Sequence, residues 1–215
     1  MPYKTEWVEF PDIEAVCKKA GGAPTETKPD GTPYYTLPMI YDPTTQTVIT
    51  GSTEIVKYLD TTYPNTPQLF PGGSYALQIA GADIIWGACG EALFMNIVAR
   101  LNGALSERSQ EYFRRTREAE LGAVLEKIGG DEYWKSMEDG LGKVQNWLDA
   151  NGKGKNELFG GDKICYADIQ LASILIWARV ICGEESDDWK RIAEWHSGRW
   201  GRYLEFFDKY ASVDA

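Results

Sequence analysis

Three short segments hold the side chains whose types and spacing suit chemistry. In Thr36-Leu37-Pro38-Met39-Ile40 a proline opens a strand, where its missing N–H costs no ladder bond. Two readings stand. Pro38 is a trans proline starting an edge strand, or its bond is cis and Leu37 turns its backbone N–H and C=O outward to pair with a peptide ligand. In Ile49-Thr50-Gly51-Ser52-Thr53-Glu54-Ile55 a strand ends, Gly51 allows a tight turn and Ser52 caps a helix. Free N–H groups, the helix dipole and the Ser52 hydroxyl suit a small carboxylate. An ordinary N-cap needs the same residues, so this reading also stays open. In Gly160-Gly161-Asp162-Lys163-Ile164-Cys165-Tyr166-Ala167-Asp168, an N-cap at Cys165 puts Asp168 at N3. Its carboxylate then reaches back to the Cys165 N–H, which is half a capping box and serves folding rather than catalysis.

The other reactive side chains read as structural. Cys17, Cys89, Cys165 and Cys182 form no CxxC pair, and the single His196 cannot complete a Cys/His zinc set, so no metal is expected. Reduced structural thiols are the expectation. No apolar signal core or transit pattern opens the chain, and a cytoplasmic location is expected. His196 lies between Trp195 and Trp200 and reads as partly buried and structural rather than as a base. Arg114-Arg115-Thr116-Arg117 reads as a solvated helix face.

The elements that must position these residues change character near residue 72. All ten prolines precede Gly72. Alternation over Tyr3–Phe10 predicts a strand; a short helix over Ile13–Ala20 ends at Gly21-Gly22; a polar loop runs from Ala23 to Tyr34. Met39-Ile40-Tyr41 and Thr47-Val48-Ile49 read as a hairpin, followed by the helix after Ser52. Beyond Gly73 the periodicity is helical: Leu77–Leu101, Ser106–Ile128, Asp131–Ala150, Tyr166–Ile181 and Asp187–Tyr210. With 215 residues, 43% hydrophobic and 13% aromatic, the chain can bury a substantial core. Lys+Arg 22 against Asp+Glu 32 gives a net charge of −10, which repels phosphate backbones and anionic membrane surfaces. Neither nucleic acid nor membrane is an expected partner. The most apolar run, Ile164–Cys182, carries Asp168, Gln170 and Arg179 and reads as a buried core helix rather than a membrane span.

The order of these segments carries a resemblance. LP-x-I-Y, a strand, GS-x-x-I-x-x-YLD and then a helical domain containing ELFGGDKICYADI resemble the cytosolic glutathione transferases over nearly the whole chain. PYKTEWVEFPDIE and DWKRIAEWHSGRWGRY look most like the fungal etherase-related class, kin to bacterial β-etherases of lignin breakdown. The resemblance implies an incomplete thioredoxin-like α/β domain over residues 1–71, then an all-α helical bundle over 74–215. It implies that Leu37, before a cis Pro38, holds the cysteinyl part of glutathione, and that Gly51 and Ser52 hold its γ-glutamyl carboxylate. Many relatives have an acidic residue or Gln where this chain has Gly51, and Ser or Thr where it has Cys165, a poorer acceptor.

The largest departure is at the start. The family's first domain runs β-α-β-α-β-β-α, and Tyr3–Trp7 resembles its second strand. The expectation is that the first strand and helix, which carry the catalytic Ser, Tyr or Cys, are absent from this polypeptide. Tyr3, Thr5 and Cys17 lie in the wrong elements to replace it, so the catalytic residue stays unassigned. Without that strand, residues 3–10 either pair elsewhere, as across a dimer, or leave an open edge.

Tyr75, Ile79, Trp86, Phe94 and Met95 stand where the family lines an aromatic acceptor pocket, although core packing explains most of them equally. The implied activity is transfer of glutathione to, or its removal from, small electrophilic or aromatic substrates, lignin-derived ethers among them. Glutathione is the cosubstrate and a homodimer the expected assembly. The alternative is a non-catalytic relative that binds glutathione or hydrophobic ligands, or regulates a partner.

Overall fold

The computed structural model describes residues 2–152 and 158–211. Met1, the Glu157 of the ELFGGDKICYADI segment and residues 212–215 of the expected helical domain lie outside the described residues.

The N-terminal part is built on few strands. Helix α1, Ile13–Ala20, ends at Gly21 in the left-handed conformation. Strands β1, Glu26–Thr27, and β2, Pro33–Tyr34, make a short antiparallel pair inside what the sequence predicts as a loop. Strands β3, Met39–Asp42, and β4, Thr47–Thr50, pair antiparallel with Met39 opposite Thr50 and Asp42 opposite Thr47. Helix α2, Ser52–Thr62, follows directly.

The strand predicted over Tyr3–Phe10 is not formed. Alternation gives a segment two faces, but a strand also needs a ladder partner, and β3 pairs with β4 alone among the described residues. Residues 2–9 stay outside regular structure, with Trp7 83% exposed. Their end is anchored instead on the helical part. The Phe10 N–H donates to Ser109 Oγ at 3.1 Å, Glu9 accepts from the hydroxyls of Ser106 and Ser109, and the Phe10 ring meets Phe113 edge-on at 5.4 Å.

A turn at Pro71–Gly73 leads into the helical part. Helices α3, Tyr75–Ile85, and α4, Glu91–Gly103, form one continuous helix joined by a π-helical turn at Trp86–Gly90. This helix, and not the Ile164–Cys182 run, is the one that passes the length and composition test for a membrane span among the described residues. Its Gly, Ala, Ile and Leu density outweighs Asp83 and Glu91, so by length and composition it is long enough to cross a membrane, with a mean hydropathy of 1.4. One face of it packs in the core. Ile85, Cys89, Leu93 and Ile97 are all but fully buried in one cluster with Met137, Leu141, Leu171 and Leu175. At the π turn the neighbouring helix comes so close that a Cβ on Gly140 would meet the Ala88 carbonyl oxygen.

The remaining helices are α5, Glu107–Leu121; α6, Asp131–Asp149; α7, Tyr166–Cys182; and α8, Asp187–Phe207. Two differ from the periodicity. The pattern over Ser106–Ile128 is broken at Gly122, whose left-handed backbone ends α5, and a short 3-10 turn, Leu125–Lys127, carries Leu125 into the core. Helix α8 is interrupted at His196, Ser197 and Gly198, all with positive φ. His196 is half-buried, its Nδ1 accepts from the indole N–H of Trp200 at 2.8 Å, and burial lowers its pKa.

The β3–β4 hairpin is clamped to α2 through Asp42. The hydroxyls of Tyr58 and Tyr63 both donate to its Oδ2, at 2.6 and 2.5 Å, and the Thr44 N–H donates to Oδ1 at 2.8 Å. These donors, Tyr58 first, hold its pKa at about 2. The folded value lies below the unfolded one, so the stabilisation is complete above the unfolded aspartate pKa of about 4 and is lost as the pH falls through the folded value. Asp42→Asn should therefore lower the thermal midpoint at neutral pH. Midpoints measured across the acid range should show the gap between the two proteins closing between about pH 4 and pH 2.

Candidate functional site

The hairpin register brings the first two chemical segments together. Met39 lies opposite Thr50, so Pro38 and Gly51 stand side by side at the end of the ladder. The Gly51 N–H donates to the Pro38 carbonyl at 3.0 Å. The Leu37–Pro38 peptide bond is cis. Gly51 is the N-cap of α2, with φ +86° and ψ 133°, a conformation that strains any residue with a Cβ. Ser52 is therefore the first helical residue and not the cap the sequence reading makes it, and no side chain caps α2. The reason is local: the chain leaves β4 through a left-handed turn, which only Gly51 in this stretch can make cheaply.

A groove of about 370 Å³ opens at this helix start. Ala23, Pro24 and Thr25 line one side; Thr50, Gly51, Ser52, Thr53 and Glu54 line the other. The two sides are tied by the Thr50 hydroxyl, which donates to the Ala23 carbonyl at 3.0 Å. The Thr25 and Thr36 hydroxyls share a hydrogen bond of 2.7 Å, which fixes the loop ahead of Leu37. The first N–H groups of a helix have no intrahelical acceptor, and the helix dipole adds positive potential there. This groove can therefore receive a carboxylate, with the exposed Ser52 hydroxyl as a further donor. Thr25, Thr53 and Glu54 were not legible as groove residues, because the signal at Ser52 says nothing of which loop packs across it.

Tyr75, Ile79 and Trp86 follow one another along the α3 helix and its π turn, but none lines either of the two described cavities. Tyr75 packs on Phe70 at 4.9 Å, and Trp86 stacks on Trp177 at 6.3 Å. The second cavity, about 220 Å³, lies beside α2 between Val56, Leu59, Asp60, Thr66, Pro67 and Leu69.

The four cysteines are unpaired, and burial pushes their thiols up, Cys89 to about 12 and Cys165 to about 11. Burial thus disfavours the thiolate at each of them. Among the described residues no group of three His, Cys, Asp or Glu side chains could hold a metal.

The third segment caps α7 from inside the protein. Asp168 is fully buried. Its Oδ2 accepts from the Cys165 N–H at 2.9 Å and from the Cys165 thiol at 3.1 Å. Its Oδ1 accepts from the Phe159 N–H at 2.7 Å and the Tyr203 hydroxyl at 3.1 Å. The Cys165 thiol donates to this carboxylate and its sulfur also accepts from the Asp168 N–H, so both halves of a capping box are present.

Residues 6–67 match the family model described as the N-terminal domain of glutathione S-transferase, and residues 76–210 match that of its C-terminal domain. The chain belongs to the glutathione S-transferase family. Its architecture is that family's fold, a thioredoxin-like domain with a reduced sheet followed by an all-helical domain. Among solved structures it is similar to the glutathione transferase GSTFuA3 of Phanerochaete chrysosporium. The two are 49% identical with a TM-score of 0.97, over 100% of this chain and 86% of that one. A glutathione S-transferase of Ceriporiopsis subvermispora, solved in complex with glutathione, is 42% identical with a TM-score of 0.94, again over 100% and 86% of the two chains. The glutathione S-transferase-like protein ustS of Aspergillus flavus is 28% identical over 92% of this chain and 74% of its own.

In this transferase fold the Asp168 cap holds the start of the central helix. Asp168→Ala should destabilise the chain by about 2–4 kcal/mol, since it leaves buried donors without an acceptor. Chemical denaturation of the two proteins checks this, with an unchanged midpoint as the contrary result.

Proposed function

We propose that the groove at the start of α2 binds glutathione. The observation that carries this is one juxtaposition: the Gly51 N–H bonds to the Pro38 carbonyl, which sets the Leu37–Pro38 segment beside the uncapped start of α2 and its groove of about 370 Å³. In this reading the γ-glutamyl carboxylate sits on the free N–H groups of Ser52 and its neighbour, with the Ser52 hydroxyl as a donor and Gly51 giving close backbone access. The cysteinyl part pairs with the backbone of Leu37 as a short antiparallel strand. The Ceriporiopsis relative crystallised with glutathione supports this choice of ligand.

The chemistry we propose is the family's: the glutathione sulfur bonds to an electrophilic carbon as a leaving group departs, or the reverse. Small aromatic compounds, as in the etherase-related class, are the proposed partners, with Tyr75, Ile79 and Trp86 at the start of the helical domain as their proposed contacts. We place the domain boundary between residues 71 and 74. The assembly proposed is a homodimer, which light scattering over a wide concentration range should detect.

One observation favours the second reading, binding without turnover. Of Ser, Tyr and Cys only Ser52 lines the described groove, where this reading gives it to the carboxylate, and the Cys17 thiol is fully buried with its pKa raised. Calorimetry with glutathione tests the shared part of both readings. Ser52→Ala should weaken binding about ten- to a hundredfold, the loss of a hydrogen bond to a charged group. Equal affinity in the two proteins would remove the groove from consideration. Turnover of a chloro-nitrobenzene or a glutathionyl aryl ketone would then separate transferase from binder.

A further inference from the structure

The first turn of α2 has no side-chain cap, yet the groove needs its N–H groups held in place. Its own domain supplies one tie, from the Gly51 N–H to the Pro38 carbonyl at 3.0 Å. The second tie comes from the other domain. The Thr53 hydroxyl shares a hydrogen bond of 3.0 Å with the Tyr166 hydroxyl, 113 residues away. Thr53 directly follows Ser52 and lines the groove. Tyr166 is the first residue of α7 and is 6% exposed.

Tyr166 is itself fixed on every side. Its N–H donates to the Leu69 carbonyl at 2.9 Å, and its ring packs on Phe70 at 5.0 Å. The N–H of the next residue, Ala167, donates to Gln78 on α3 at 3.1 Å. Leu69 and Phe70 lead back to the far end of α2, because their N–H groups donate to the buried carboxylate of Asp60 at 3.2 and 2.7 Å. A closed frame results. It runs from Thr53 to Tyr166, to Leu69 and Phe70, to Asp60, and along α2 back to Thr53. Of its links, the Thr53–Tyr166 bond is the one that touches the groove.

We propose that Tyr166 is a positioning residue for the groove. Through Thr53 its hydroxyl holds the anion-receiving turn of α2, so the helical domain sets the affinity of a site built wholly from the N-terminal domain. This rests on the reading of the groove as a glutathione site. A hydroxyl that only stabilised the fold would lower the unfolding midpoint and leave the affinity of the folded chain unchanged. A positioning hydroxyl must change the affinity itself, and must do so through Thr53.

A double-mutant cycle on the full chain distinguishes the two. Glutathione dissociation constants are measured calorimetrically for the parent chain, Tyr166→Phe, Thr53→Val and the double variant, with unfolding midpoints recorded to confirm that each is folded. Tyr166→Phe removes one oxygen and keeps the ring against Phe70. It should weaken binding about three- to tenfold, the scale of one neutral hydrogen bond. The double variant should bind no more weakly than Thr53→Val alone. Unchanged affinity in Tyr166→Phe would overturn the proposal while leaving the glutathione reading intact. So would losses that multiply in the double variant, because the two hydroxyls would then act independently. A parent chain that does not bind glutathione overturns the reading and the proposal together.

Discussion

The start of α7 lies inside the protein, and its first N–H groups have no water to turn to. A helix end buried without partners would cost several unmade hydrogen bonds. One carboxylate meets it at the Cys165 N–H, while the Leu69 carbonyl and Gln78 take the Tyr166 and Ala167 N–H groups. Asp168 accepts from Cys165 within the helix start, from Phe159 in the loop before it and from Tyr203 on α8. Three parts of the chain therefore converge on a single side chain. The place where α7 begins, and the direction in which it sets out, follow from it.

What α7 positions is the boundary with the N-terminal domain. Tyr166 and Ala167, the first residues of α7, bond to Thr53, Leu69 and Gln78. These are strands of one frame around α2. The N-terminal domain holds that helix with the β3–β4 hairpin, through the Asp42 clamp, the Thr45–Tyr58 bond and the Gly51–Pro38 bond. The helical domain supplies the rest. The second domain here braces the first.

Much of this was legible in the residues, and the failures have physical causes. Spacing alone placed Asp168 three residues after Cys165, the only acid able to reach back to that N–H. The Pro38 strand start and the turn at Gly51 were readable because proline and glycine limit the backbone so sharply. The strand over Tyr3–Phe10 failed because alternation describes one chain and a ladder needs two. Ser52 was misplaced by one position because its type suits a cap, while the left-handed exit from β4 gives that position to Gly51. The break in α5 at Gly122 and the left-handed turn at His196–Gly198 escaped because apolar periodicity continues through both. Thr53 and Tyr166 met only in three dimensions, with no local pattern to join residues 113 apart in sequence.

The central claim is that the uncapped start of α2 receives the ligand, and amide chemical shifts followed by nuclear magnetic resonance during a glutathione titration test it most directly. The N–H signals of Ser52 and Thr53 should move furthest, with Leu37 following on the same binding curve. Saturable shifts gathered elsewhere, with Ser52 and Thr53 unmoved, would contradict it.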